Sequence, residues 1–188
     1  MRLGAQAWQS AAQAGIEIGV VAAAWTLLFW FNGWLFASFA VSKYVSWIFL
    51  PAAIRVLTVM VADWRGVCGL FLGAMITSGP ILDLQPERAV LIALLSACAP
   101  YIAVVISARY LKLNNRLDSI TAKQLIGISV AGALCSALLH SVYYAATDES
   151  ARFIQTFVPM FVGDMLGTAI VLTAASVVLK AARKSVRN

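Results

Sequence analysis

The sequence predicts an all-α integral membrane protein, a bundle of about six transmembrane helices with both termini cytoplasmic. Three observations carry that reading. The 188 residues are 62% hydrophobic and only 12% charged, whereas a soluble domain carries about 25% Asp, Glu, Lys and Arg. The apolar residues fall in runs long enough to cross ~30 Å of hydrocarbon, which takes about 20 helical residues. The cations then sort by side. With six spans, one side collects Arg2, Arg65, Arg109, Lys112, Arg116, Lys123, Lys180, Arg183, Lys184 and Arg187; the other has only Lys43, Arg88 and Arg152, beside Asp83, Glu87, Asp148 and Glu149. Lysine and arginine mark the cytoplasmic side, and an odd number of spans would destroy the separation. The net charge of +6 is thereby explained by topology and by contact with anionic lipid, with no nucleic acid partner. The expected location is the inner membrane of a bacterium, crossed several times by one helical domain, residues 1–188.

Residues 1–15 read as an Ala-rich lead-in at the interface or as an extension of the first helix. Arg2 is followed by Gln, Ser and Glu instead of an apolar core, so no secretory signal is expected. The first span covers 18–41, dense in tryptophan (Trp25, Trp30, Trp34), with Asn32 as its one strongly polar side chain. A lipid-facing aromatic surface with one interhelical hydrogen bond is the simplest account. Spans at 45–62 and 66–82 flank the turn Asp63-Trp64-Arg65-Gly66 and form an antiparallel hairpin. A polar turn with Pro86 leads to a span at 89–111, where Pro100 is expected to kink or break the helix. The longest polar connection follows, and Ser119 or Thr121 is positioned to cap the span at 124–146. A short acidic-leaning turn precedes the last span, 153–179, and its basic tail.

Two charges lie deep in these runs. A guanidinium such as that of Arg55 costs roughly 3 kcal/mol at the centre of an inserted helix, so it needs a partner. The only carboxylate equally deep in another span is Asp164. Arg55 lies ten residues into the second span and Asp164 eleven into the sixth, both entered from the outer side. At 1.5 Å per residue both sit about 15–16 Å deep. Asn32 and Pro100 fall at comparable depth, and His140 lies nearer the outer surface. The five residues form a candidate intramembrane polar cluster, either a ligand or partner site or an ion pair that fixes helix register. Gly69 and Gly73, and Gly163 and Gly167, repeat at four-residue spacing and allow close helix packing. Glu17 reads as interfacial and solvated. Cys68, Cys98 and Cys135 are spread singly and read as packing thiols, and with one histidine no metal site is expected. No catalytic set is visible: there is no Ser-His-Asp arrangement, no HExxH and no phosphate loop.

These residues suggest a family. Trp47-x-x-x-Pro51, then Asp63-Trp64-Arg65-Gly66 and Leu70-Phe71-Leu72-Gly73-Ala74, resembles the first-type membrane-associated sensor domain of bacteria, with its W-x-P-x-G-like start, G-x-R-x-x-P-like turn and following L-G-A. Gly163-Asp164-Met165-Leu166-Gly167 is similar to that family's G-D-x-x-G helix. The resemblance implies a signalling bundle of about eight spans feeding a kinase or cyclase domain. Against that pattern this chain reads as truncated and free-standing, with Arg55 in a helix that is usually uncharged. It also implies functional importance for Asp164. The expected function is a non-enzymatic module, sensor-like or an accessory subunit docking to a separate membrane or cytoplasmic protein. The alternative is a small-solute transporter, or the substrate-capture subunit of one, using the midplane polar cluster. The sequence names no ligand and no cofactor.

Overall fold

A computed structural model describes residues 2–42, 45–110, 120–147 and 152–186. Ser119, Lys43, Lys112, Arg116, Arg187, Asp148 and Glu149 therefore lie outside the described residues, so the cap at Ser119 and part of the charge pattern find no structural counterpart. The elements are α1 (Arg2–Phe36), α2 (Ala52–Thr77), α3 (Gly79–Leu84), α4 (Pro86–Tyr110), α5 (Ala122–Thr147) and α6 (Phe153–Val186), with a 3-10 turn at Ala37–Phe39. Five of these, all but the short α3, are long and apolar enough to cross a membrane. Among the described residues there is no strand, only an isolated bridge between Ala40 and Ser46.

The helices differ from the sequence expectation mainly around α2. Residues 45–51, expected as the first part of a span, are not helical, and α2 begins at Ala52 behind Pro51. The expected turn at Asp63 is very tight. Asp63 has φ 49° and ψ −129°, and a Cβ on Gly66 would collide with the carbonyl of Thr58, eight residues earlier. In a straight helix those residues are about 12 Å apart, so the chain doubles back. Arg65 pairs with Glu17 at 3.0 Å, Gly69 lies against Ile18 and Val21, and Gly73 lies against Trp25. The paired numbers climb together, so the second limb of α2 runs parallel to α1. The first limb starts near the other end of α1, where Leu50 meets Asn32. Glu17, still about a third exposed, thus gains an ion-pair partner at the solvated end of α1.

Asp63 sits where L-residues are strained, at a cost on the order of 1–3 kcal/mol. Asp63→Gly is expected to raise thermal stability by about 1 kcal/mol, and Asp63→Val to lower it. Melting of the purified variants in detergent reads both signs.

Around α2 the bundle closes on small residues. Helix α4 buries Ala89, Ala93, Ser96, Ala97, Pro100, Ala103 and Ser107, and α5 buries Ser129, Gly132, Ala133, Ser136, Ala137 and His140. Repeats of small side chains three and four apart allow close backbone approach, which drives association where lipid gives no hydrophobic gain. Helix α4 continues through Pro100 without the expected break; the proline still deprives the Ser96 carbonyl of its helical donor. Thr121 caps α5 as part of a reciprocal pair: its Oγ1 accepts from the Gln124 N–H at 3.3 Å, and its own N–H donates to Gln124 Oε1 at 2.9 Å. Trp30 and Trp34 face outward, but Trp25 is 2% exposed and belongs to the core with Val59, Leu70 and Ala74. Cys98 is exposed and packs no core.

Candidate functional site

The site begins with the non-helical stretch 45–51. Backbone of this kind is tolerated at membrane depth only where protein satisfies its polar groups. Phe49 N–H donates to the Gly163 carbonyl at 3.1 Å, Trp47 N–H donates to that of Phe39 at 3.0 Å, and Leu50 N–H donates to Asn32 Oδ1 at 2.8 Å. Gly163 and Gly167 make this possible: a Cβ at either would strike the carbonyl of Ser46 or Phe49. The glycine pair on α6 thus receives an unwound chain, while Gly69 and Gly73 receive α1 in the usual helix-on-helix manner. Asn32 holds this stretch in place.

One turn into α2, Arg55 crosses to α6 and α5. Its Nη1 donates to Asp164 Oδ2 at 2.9 Å and to Ser136 Oγ at 2.5 Å, with Arg55 5% and Asp164 3% exposed. The Ser136 hydroxyl also hydrogen-bonds the Asp164 carboxylate. Aromatic faces complete the guanidinium's surroundings, with the Trp25 ring centre at 5.2 Å and that of Phe49 at 4.9 Å. Rings at this distance attract a cation through their quadrupoles. Arg55 Nε is buried and has no acceptor among the described residues.

A second polar pair adjoins the first. His140 Nδ1 lies 2.9 Å from the Ser136 carbonyl, and its Nε2 lies 3.2 Å from Ser96 Oγ. Nδ1 therefore carries a proton, and in the neutral ring the Ser96 hydroxyl donates to Nε2. Ser136 links the two pairs, through its hydroxyl to Arg55 and Asp164 and through its carbonyl to His140.

Two cavities flank the ion pair. The larger, about 380 Å³, is lined by Arg55 and Asp164 together with Trp25, Phe49, His140 and Ser96. The smaller, about 10 Å³, is lined by the same pair with Pro100, Ser129 and Thr168. Arg55, Asp164 and His140 thus meet at the first space, and Arg55, Asp164 and Pro100 at the second. Asn32 lines neither and joins only through Leu50. The sequence reading missed Ser136, Ser96, Trp25 and Phe49. Ser136 and His140 are four apart on one helix face, a spacing that pointed to a shared role; the aromatic pair left no such signal. No group of three or more His, Cys, Asp or Glu side chains comes together among the described residues.

What this arrangement can do is hold a small molecule. A cavity of this size is within the ~300–1,000 Å³ of ligand sites, mostly apolar with a few convergent polar groups. Comparison with curated proteins and with solved structures returns no match. The family model MASE1 matches residues 18–188, nearly the whole chain. Buried charge, unwound segment and glycine-seated α6 thus lie inside the matched region, and the chain belongs to the membrane-associated sensor domain 1 (MASE1) family, whose members are sensory membrane domains.

Proposed function

We propose that this chain is a non-enzymatic sensing module whose ligand occupies the cavity of about 380 Å³ and whose state is read by a separate membrane or cytoplasmic protein. One observation carries the reading: the ion pair joining α2 to α6 lines that cavity. A molecule touching Arg55 or Asp164 acts on both helices at once, and a ligand shifts an equilibrium only through such differential contacts. Extraction from the native host in mild detergent is expected to bring a signalling protein or a larger complex along. A chain that purifies alone would end the partner half of the proposal.

A second reading has its own support. Transporter sites are built at the midplane from interrupted helices, and the stretch 45–51 interrupts the path into α2. A transport ATPase in the same purification would favour a substrate-capture subunit.

The crossing pattern belongs to the same proposal. Counting the two limbs of α2 separately gives six crossings, both termini on the cytoplasmic side of a bacterial inner membrane, and the lysine and arginine bias supports it. Single cysteines at Ser185 and Thr147 are expected to label from opposite sides. Labelling of both from one side would overturn the six-crossing arrangement.

A further inference from the structure

Resting on the sensing role proposed above, we infer that the guest of this cavity is an uncharged fused-ring aromatic compound that enters from the bilayer.

Its lack of charge follows from how the polar wall is already committed. Arg55 and Asp164 both line the cavity, and their charges are spent on each other at 2.9 Å. An anionic head would compete with Asp164 for the guanidinium, and a cationic head with Arg55 for the carboxylate. Either would leave one buried charge without its partner, which a medium of low dielectric penalises heavily. The other donors of the wall are committed too. Trp25 Nε1 donates to Thr77 Oγ1 at 3.1 Å, and Thr77 in turn donates to the Gly73 carbonyl at 3.0 Å. Ser78 donates to the Ala74 carbonyl at 2.7 Å, and Ser46 to that of Ile48 at 3.0 Å. Ser96 and His140 hold each other at 3.2 Å. Displacing one of these bonds to seat a polar head strands the former partner. A guest that asks for none of them leaves the wall intact.

The ring system follows from the rest of the wall and from the space it encloses. Trp25, Phe29, Trp30, Phe49 and Tyr144 line the same cavity. Trp25 and Phe49 meet edge to face, with centroids 6.0 Å apart, and so do Phe29 and Phe49, at 6.4 Å. Crossed rings of this kind offer offset and edge-on contacts to a further ring. A rigid flat guest also loses less freedom on binding than a flexible lipid chain does. A cavity of ~150 Å³ in an unrelated protein takes up benzene, so about 380 Å³ has room for roughly two or three fused rings. The guest then acts on α2 and α6 by filling the space beside their ion pair, with no bond to either charge.

The route follows from Trp30, which lines the cavity yet is 64% exposed. Its neighbours on the outer face of α1, Leu27, Phe31 and Trp34, are exposed and apolar. The Trp30 ring thus joins the cavity to a surface that faces lipid, where an uncharged aromatic compound is already concentrated.

The test uses the full chain in nanodiscs with tritiated 2-ethylnaphthalene, 2-naphthylacetate or 2-naphthylethylammonium, probes of similar shape and different charge. Affinities are referred to each probe's concentration in the bilayer, measured with empty nanodiscs, so that partition into lipid cancels. The uncharged probe is expected to bind saturably and at least 10-fold more tightly than either ion. Ala74→Phe and Ile92→Trp, each adding a ring at the cavity wall, are expected to weaken it at least 10-fold. Unlabelled hexadecane, standing in for a lipid chain, is expected not to displace it. An ion that binds as tightly, an uncharged probe that never saturates, binding unchanged in a folded wall variant, or displacement by hexadecane would each overturn the assignment. If neither wall variant folds, the comparison of charges decides alone. Failure of the uncharged probe while a signalling partner still co-purifies refutes the ligand class and leaves the sensing role standing; loss of that partner as well refutes the role.

Discussion

Asp164→Asn is expected to destabilise the folded protein by about 3–5 kcal/mol, the loss seen when a buried ion pair is broken from one side. The guanidinium of Arg55 would stay where it is, with Ser136 and two aromatic faces beside it, but with no opposite charge. Arginine cannot shed its proton, so the charge remains in a medium that penalises it. Arg55→Leu should be milder, because a lone carboxyl in hydrocarbon can take up a proton and become neutral. The double variant Arg55→Leu with Asp164→Asn should recover much of what Asp164→Asn alone loses, since it leaves no charge to strand. Thermal melting followed by size-exclusion chromatography of detergent-solubilised protein reads all three. Two contacting residues must show an interaction energy in this cycle. A double variant as unstable as the sum of the singles would mean that Arg55 and Asp164 do not act on each other.

That pair was legible in the sequence because hydrocarbon makes charge conspicuous. Only two charged side chains lie deep in apolar runs, and equal depth on two helices is a constraint they had to satisfy. The tryptophans were legible too, had their angles been compared. At roughly 100° per residue, Trp30 and Trp34 lie about 140° and 180° around α1 from Trp25, so one tryptophan faces the bundle when the others face lipid. The stripe Ala89, Ala93, Ala97 on α4 and its counterpart on α5 were hidden for a different reason. Hydropathy rewards large apolar side chains, and those of α4, such as Leu91, Leu94 and Ile102, face outward. In lipid the interior is built from the small residues instead. The unwound stretch 45–51 left the weakest trace. Its Val45, Trp47, Ile48 and Phe49 are as apolar as any helix, and only β-prone side chains and Pro51 distinguish it. What fixes it unwound is tertiary: Asn32 and Gly163 supply the hydrogen bonds that a helix would have made internally.

Gly167→Ala tests that tertiary dependence, and it is expected to cost about 3 kcal/mol or more, at or above the upper end for overpacking. A Cβ at Gly167 would strike the Phe49 carbonyl and come within 2.8 Å of the Leu50 nitrogen. The three nearest atoms are all backbone, so no rotation of a side chain relieves the clash. The stretch 45–51 must move off α6 instead. That motion strains the Phe49 bond to the Gly163 carbonyl and the Leu50 bond to Asn32, and unsatisfied backbone groups in hydrocarbon cost several kcal/mol each. It also carries the Phe49 ring away from Arg55. The control is Gly19→Ala on α1, where nothing lies within 4 Å of the added methyl. Alanine there should stabilise by roughly 0.5–1 kcal/mol, because glycine loses more freedom on folding. Opposite signs at two helical glycines separate steric contact from helix propensity, which favours alanine at both. Adding Gly167→Ala to Asp164→Asn should cost less than Gly167→Ala costs alone, since both act on the surroundings of Arg55. A Gly167→Ala protein that melts with the wild type would mean that the unwound stretch does not rest on α6.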